Sequence, residues 1–306
     1  MCGIAGLFAP RSGDTDRISA TLQKMTRSLA HRGPDAEGFW REGEVALGHR
    51  RLNILDLSDA GAQPMRSKSG RHVIVFNGEI YNHLDMRRDL ALDGVTTDWR
   101  GHSDTETLLT GITHWGLNET LQRAKGMFAL ALWDRSEKRL SLARDRMGEK
   151  PLYWGWAGKA LVFGSELKAL RAHPDCSRDV CRDALAQYLH FMYVPAPRSI
   201  HPGLFKLEPG TILTVDGAPP STPPEEPIRP DGHHGNISIR RYWDLNAEIE
   251  AGAQNQIEDK GDAVAALGEV LGKAVQRQMI SDVPLGAFLS GGVDSSAIVA
   301  LMQAQS

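Results

Sequence analysis

The stretch Phe128-Ala129-Leu130-Ala131-Leu132-Trp133 is apolar without interruption, and it restricts the fold more than any other part of the chain. Side chains along a strand alternate between two faces, so such a run is predicted to be a strand buried on both of them. A sheet that contains it must be covered by other layers on either side. A second apolar run, Gly3-Ile4-Ala5-Gly6-Leu7-Phe8, reads as another buried strand. Strands are also expected over residues 45–54, 73–76, 140–143 and 161–163, with a hairpin turn at 134–138. Ile18, Leu22, Met25 and Leu29 recur at helical spacing and predict an amphipathic helix that stops near His31-Arg32-Gly33-Pro34. Further helices are expected over 84–90, 104–115 and 183–190. Together these make an α+β fold with mixed sheets.

With 306 residues the chain has room for two domains, and 41% apolar with 24% charged residues supplies an ordinary globular core. A net charge of −3 gives no pull toward nucleic acid or an anionic membrane surface. No apolar stretch approaches the ~20 residues that span a bilayer. The N-terminus has no basic region followed by a long apolar core, as a signal peptide has. Cys2, Cys176 and Cys181 are too few for a disulfide framework, which fits a reducing, cytoplasmic setting.

Six of the sixteen prolines gather between Asp216 and Asn236. That texture reads as an exposed, disordered or extended loop, with His233-His234 inside it as solvated residues rather than metal ligands. Beyond it Val264, Leu267, Leu271, Ala274 and Met279 lie on one helical stripe. An apolar strand is expected at 285–289, then a Ser-Gly-Gly turn and a helix from near Ser295.

Cys2 follows the initiator methionine and becomes the first residue once Met1 is cleaved. It then carries its own base: an α-amino group titrates at ~7.7–8.0, so a useful fraction is neutral near pH 7 and can take the thiol proton. Taken alone, Cys2 also reads as a small buried hydrophobe in a first strand. Five segments accompany it: Met1-Cys2-Gly3-Ile4-Ala5-Gly6, His31-Arg32-Gly33-Pro34-Asp35, Arg51-Leu52-Asn53-Ile54, Asn77-Gly78-Glu79-Ile80-Tyr81-Asn82 and Ser103-Asp104-Thr105-Glu106. As a set they closely resemble class II, N-terminal-nucleophile glutamine amidotransferases, and among those the asparagine synthetase family. Arg144 to Tyr153 and Ser165 to Leu170 extend the resemblance over nearly the whole chain.

The resemblance implies an N-terminal-nucleophile αββα sandwich over residues 2–215, a proline-rich linker over 216–240, and the start of an α/β ATP-pyrophosphatase domain over 241–306. It implies Cys2 as nucleophile, with the Asn77 side-chain amide and the Gly78 N–H as oxyanion hole. Arg51 would clamp the carboxylate of glutamine through its planar fork, and Glu79 and Asp104 would hold the ammonium. Other readings stand beside these. Arg50 can be mistaken for Arg51, Asn77-Gly78 can be a hairpin turn, and Ser103 with Glu106 is also a helix capping box.

Ser290-Gly291-Gly292-Val293-Asp294-Ser295-Ser296 lies between the expected strand and helix, where backbone N–H groups can surround an anion. It is not a Walker loop, since no Gly-Lys-Ser/Thr follows. It resembles the pyrophosphate loop of ATP pyrophosphatases. That implies Leu289 lining a nucleotide site and Ser290, Gly291, Gly292, Asp294, Ser295 and Ser296 holding the pyrophosphate part of ATP with Mg²⁺; no other metal site is expected. Residues 262–306 have room for little more than one βα element, so this domain is expected to be incomplete.

The implied partners are glutamine, ATP and aspartate, with a homodimer left open and neither nucleic acid nor membrane. Ammonia released at Cys2 would amidate an ATP-activated carboxylate, aspartate giving asparagine, AMP and pyrophosphate. Two alternatives remain: another acceptor, such as a sugar acid or peptide, or a glutaminase-only or glutamine-binding module.

Overall fold

The computed structural model describes residues 1–10, 14–54, 56–281 and 284–306. They divide into two compact units, residues 1–53 with 57–243 and residues 54–56 with 244–306.

In the first unit the strands are β1 (Gly3–Phe8), β2 (Ala36–Glu42), β3 (Val45–Arg51), β4 (Met65–Arg66), β5 (His72–Ile80), β6 (Gly126–Asp134), β7 (Arg139–Arg144), β8 (Tyr153–Ala157), β9 (Ala160–Gly164), β10 (Leu204–Lys206), β11 (Thr211–Asp216), β12 (His233–His234) and β13 (Ile237–Arg241). The helices are α1 (Thr15–Arg27), α2 (His83–Leu92), α3 (Asp104–Trp115), α4 (Leu117–Arg123), α5 (Leu167–Arg171) and α6 (Arg182–Phe191). One sheet runs β10-β8-β9-β1-β3-β2 and the other β12-β13-β11-β7-β6-β5-β4. All the pairings described are antiparallel, so the expected mixed sheets are corrected; β2–β3, β6–β7 and β8–β9 are hairpins on short turns, and longer connections such as α2–α4 between β5 and β6 also return the chain antiparallel.

The two continuous apolar runs explain the layers. Ala129, Ala131 and Trp133 of β6 pack between the sheets with Ile4 and Phe8 of β1, while Phe128, Leu130 and Leu132 face α3 and α4 through Leu108, Ile112 and Leu121. Ala5 and Leu7 of β1 face outward onto Ile18, Leu22 and Met25 of α1 and Ala169 and Leu170 of α5. Both strands are therefore covered on both faces, and the unit is an αββα sandwich.

Three expectations change. β3 ends at Arg51 rather than residue 54, and β5 extends to Ile80, which places Asn77-Gly78 inside a strand and excludes the hairpin turn. Of the forms expected for 216–236, the structure shows the extended loop rather than a disordered one: residues 217–232 are irregular and mostly exposed or half-buried, and the chain around them is anchored. Ile228, Ile237 and Ile239 are buried in the inter-sheet core, β13 pairs with β11, and Trp156 Nε1 donates to the Pro220 carbonyl at 2.9 Å. Proline excludes helix and central strand but not packing, and the isoleucines supply the apolar contact. His234 bonds the Thr222 carbonyl at 2.9 Å, and among the described residues no group of three His, Cys, Asp or Glu could hold a metal.

The second unit holds α7 (Leu245–Gln254), α8 (Lys260–Arg277) and α9 (Val293–Gln303). Asp244 and Asp259 cap the first two, accepting from the N–H groups of Asn246 and Asp262. The strand expected at 285–289 does not form. Leu285 and Leu289 are exposed, and the described residues of this unit include no other strand to complete a ladder. No described helix is long and apolar enough to cross a membrane.

Candidate active site

Three inner faces run out of apolar residues at the same end of the sandwich. On β1, Ile4 and Phe8 are core, and the next inward position toward the N-terminus is Cys2. On β3, Val45 and Leu47 are core, and His49 and Arg51 continue that face. On β5, Val73 and Val75 are followed by Asn77 and Glu79. Pairing of Gly3 with Arg50 aligns the start of β1 with the end of β3. His49 Nε2 lies 3.1 Å from the Phe76 carbonyl and ties that end to β5. Burial drives the His49 pKa down to about 4, so the ring is a neutral crosslink.

Cys2 Sγ accepts from the Leu52 N–H at 3.4 Å and lies 3.6 Å from the Leu52 carbonyl. Burial pushes the thiol upward, so it does not ionise unaided; the Leu52 contact and Arg51 oppose the rise and Asp104 adds to it. Asn77 is buried, and both polar atoms of its side chain lack a partner among the described residues, as does Oε1 of Glu79. Buried polar groups are nearly always bonded, so two such residues beside a thiol mark a place where something polar binds.

Glu79 is pushed up to about 7, first by burial and then by the charge of Asp104, while Lys150 holds it down. Burial pushes the Asp104 carboxyl up too, although it accepts from the Ile80 N–H at 2.8 Å. Two crowded carboxyls gain most from a cation placed between them. The Phe76 N–H, held by Gln63 Oε1 at 2.6 Å, and the Ile80 N–H both leave β5 on the side away from β6. By strand alternation the Gly78 N–H points the same way, to an edge that β4 covers only as far as Ile74. A Cβ on Gly78 would lie 2.3 Å from the Met127 carbonyl, so no larger residue fits.

Arg50 and Arg51 are now distinguished. Arg50 points to the opposite face and is occupied by the Gly33 carbonyl at 2.8 Å and Glu37 at 3.0 Å. Arg51 shares the face of Cys2 and donates to the Ser58 carbonyl at 3.0 Å. Cys2, Arg51, Asn77, Gly78, Glu79 and Asp104 are thus brought together.

Several positioning residues had no role assigned from sequence. Arg32 Nε donates to the Cys2 carbonyl at 2.9 Å, and its guanidinium is held by Glu166 at 3.0 Å. Ser165 accepts from the Ile4 N–H at 3.0 Å. Asp35 accepts from the Asn53 N–H at 2.8 Å, and Gly33 lies so close to Arg50 that a Cβ would meet its backbone at 2.4 Å. Their signal was present, since all lie in the segments that carry the resemblance; only the contact partners were invisible.

The phosphate-loop residues lie in the second unit. Gly291 has φ +81°, and Gly292 starts α9 without a side-chain cap. The Ser295 and Ser296 hydroxyls donate to the Gly292 carbonyl at 3.1 and 2.8 Å, and Ser290 Oγ is 2.9 Å from Ser295 Oγ. A left-handed glycine before an uncapped helix start turns N–H groups outward, which fits pyrophosphate oxygens. The donor set does not fit a protein-made Mg²⁺ cage, because Asp294 is the one carboxylate in the loop. Leu289 is exposed.

Comparison with known proteins agrees with this geometry. The sequence profile of the glutamine amidotransferase domain matches residues 1–222, and that of asparagine synthase matches residues 266–306. Asparagine synthetase [glutamine-hydrolyzing] 1 of Bacillus subtilis is 35% identical over 98% of this chain and 44% of its own length. A putative asparagine synthetase [glutamine-hydrolyzing] 2 of Methanocaldococcus jannaschii is 33% identical over 99% of this chain and 57% of its own. The chain thus spans about half the length of the curated relatives it matches. Among solved structures, glutamine phosphoribosylpyrophosphate amidotransferase from B. subtilis superposes with a TM-score of 0.55 at 18% identity, covering 79% of this chain and 49% of that one. At that identity the likeness concerns the fold, an N-terminal-nucleophile sandwich.

Proposed function

Because this chain belongs to the glutamine amidotransferase domain family, we propose that its first unit hydrolyses glutamine at Cys2. The observation that carries the proposal is the set of buried, unbonded polar atoms on Asn77 and on the half-buried Glu79, at the end of the sandwich where the half-buried Cys2 thiol lies. Arg51 receives the α-carboxylate of glutamine, and Glu79 with Asp104 receives the α-ammonium, whose charge offsets the crowding of the two carboxyls. The side-chain amide is then directed at Sγ.

Removal of Met1 frees the Cys2 α-amine, which takes the thiol proton. Sγ adds to the amide carbon, and the Gly78 N–H and Asn77 Nδ2 stabilise the oxyanion. The amine returns the proton to the leaving nitrogen as the tetrahedral adduct collapses, releasing ammonia and a thioester that water hydrolyses to glutamate. A thiol raised by burial needs such a base.

The second unit contributes Ser290–Ser296 toward the pyrophosphate part of ATP; when bound, ATP supplies activation of a carboxyl group for amidation. We take aspartate as the acceptor, with asparagine as product. The names of the relatives support this choice.

Cys2→Ala is expected to remove glutamate release by a factor on the order of 10³ or more while the circular dichroism spectrum is retained. Mass spectrometry of active protein should show Cys2 as the first residue; full activity with Met1 attached would sink the mechanism. Pyrophosphate release from ATP and Mg²⁺, measured with aspartate, a sugar acid or a peptide, identifies the acceptor. If no carboxylate elicits it, the chain acts as a glutaminase alone.

A further inference from the structure

At the end of β5 that carries the glutamine site, the N–H groups of Phe76, Gly78 and Ile80 all leave the strand on the side away from β6. An N–H on an uncovered strand edge takes a water or another partner unless a side chain reaches it. β4 does not cover them, because it ends at Met65, opposite Ile74. Continuing that register by two residues sets Gln63 opposite Phe76.

There a side chain takes the place of the missing strand. Gln63 Oε1 accepts from the Phe76 N–H at 2.6 Å, and Gln63 Nε2 donates to the Thr105 hydroxyl on α3 at 3.4 Å. A backbone N–H can only donate, so the amide is turned with its oxygen toward β5. The backbone of Gln63 is seated as well, since a Cβ on Gly38 of β2 would lie 1.9 Å from its carbonyl oxygen. Phe76 is held a second time through its own carbonyl, 3.1 Å from His49 Nε2. Further along the edge, Asp104 Oδ2 accepts from the Ile80 N–H at 2.8 Å. The outer two of the three edge N–H groups are thus capped by side chains, and the one between them is the Gly78 N–H assigned to the oxyanion.

We propose that Gln63 is a positioning residue of the oxyanion hole: by capping the Phe76 N–H it fixes β5 beside Asn77 and keeps water off the edge, so that Asn77 and the Gly78 N–H stay aimed at the developing charge. The inference rests on the glutaminase reading above. Donors set in place beforehand need no rearrangement as the oxyanion forms, and that is the source of their effect. Without Gln63 the Phe76 N–H must draw in a water next to the hole, and this part of β5 loses one of its two side-chain ties. A displacement of about 1 Å in such a site costs on the order of 10²-fold in rate.

The test compares two rates in the wild-type chain and Gln63→Leu: kcat for glutamine hydrolysis, and alkylation of Cys2 by iodoacetamide followed by mass spectrometry. Leucine fills similar space but accepts no hydrogen bond. Displacement of iodide by the thiolate forms no oxyanion, so alkylation reports the nucleophile and its surroundings without the hole. In Gln63→Leu kcat is expected to fall by about 10- to 100-fold. Alkylation should keep its wild-type rate. A part in folding alone would change both rates together, and that result overturns the proposal, as does a wild-type kcat in Gln63→Leu. If Gln63→Leu does not fold, Gln63→Met is measured in its place and judged by the same two rates. Absence of Cys2-dependent turnover in the wild-type chain would instead overturn the glutaminase reading.

Discussion

Leu130 and Leu267 are the same residue type, each set on an apolar stripe readable from sequence, and their fates differ completely. Leu130 is fully buried on β6, between a facing sheet and helices α3 and α4; Leu267 on α8 is 64% exposed, with Val264 and Val270 exposed alongside it. Every strand of the sandwich finds a neighbour, whereas in the second unit Val275 is the single described residue that is buried within a helix. The difference teaches that a stripe marks a surface able to be covered and does not itself supply the cover. Its stabilisation, about 25 cal/mol per Å² removed from water, is realised only where another layer lies on it.

Paired truncations test that difference most strongly. Leu130→Ala should lower the unfolding free energy by about 2–5 kcal/mol. Leu267→Ala should change it by no more than about 0.5 kcal/mol. Urea denaturation measures both, and a large cost at Leu267 would break the comparison by revealing a covered stripe.

A smaller effect sharpens it in function. Asn77→Ala should raise the barrier to glutamine hydrolysis by about 2.7–4 kcal/mol, as loss of one oxyanion donor does. Ser290→Ala should leave that rate unchanged, because every residue assigned to glutamine lies in the first unit. A matching loss at Ser290 would mean that the two units do not work separately on glutamine.

The smallest effect lies inside the sandwich, where the site gives up stability. The Glu79 carboxyl is raised from its ordinary value near 4.5 to about 7. Between those values the folded chain keeps a proton that the unfolded chain has lost, so stability falls as pH rises through that window. Glu79→Gln removes the penalty. At pH 8 it should be the more stable protein by on the order of 1 kcal/mol, and at pH 4 the two should melt together. Calorimetry at both pH values measures this, and equal melting at pH 8 would show that the site stores no such cost.

Much of the first unit was legible in its residues. α3 has the bounds expected, because Ser103 caps its start and Gly116 at φ +82° ends it. β1 and β6 were read as doubly buried because nothing polar interrupts them. β2 and β8 were not anticipated. β2 is mostly exposed with only Trp40 buried, and β8 is broken by Gly155, so neither shows a strong period. Between Asp216 and Asn236 the composition marked an exposed or extended loop, while its anchoring through Ile228 in the inter-sheet core depends on a contact that composition does not encode.

By itself the sequence determined the chemistry available: one thiol behind the initiator methionine, an amide, two carboxylates and an arginine, each in a recognisable segment, with runs that demand a layered sheet. Those are properties of residue type and local spacing. Only the tertiary structure decided which of Arg50 and Arg51 faces Cys2, that Asn77 and Glu79 carry buried polar atoms left unbonded, and that Arg32 and Glu166 hold the Cys2 backbone. Each of these depends on strand register and on which faces meet across the sandwich. Distances between segments more than a hundred residues apart are set by packing, and no local pattern encodes them.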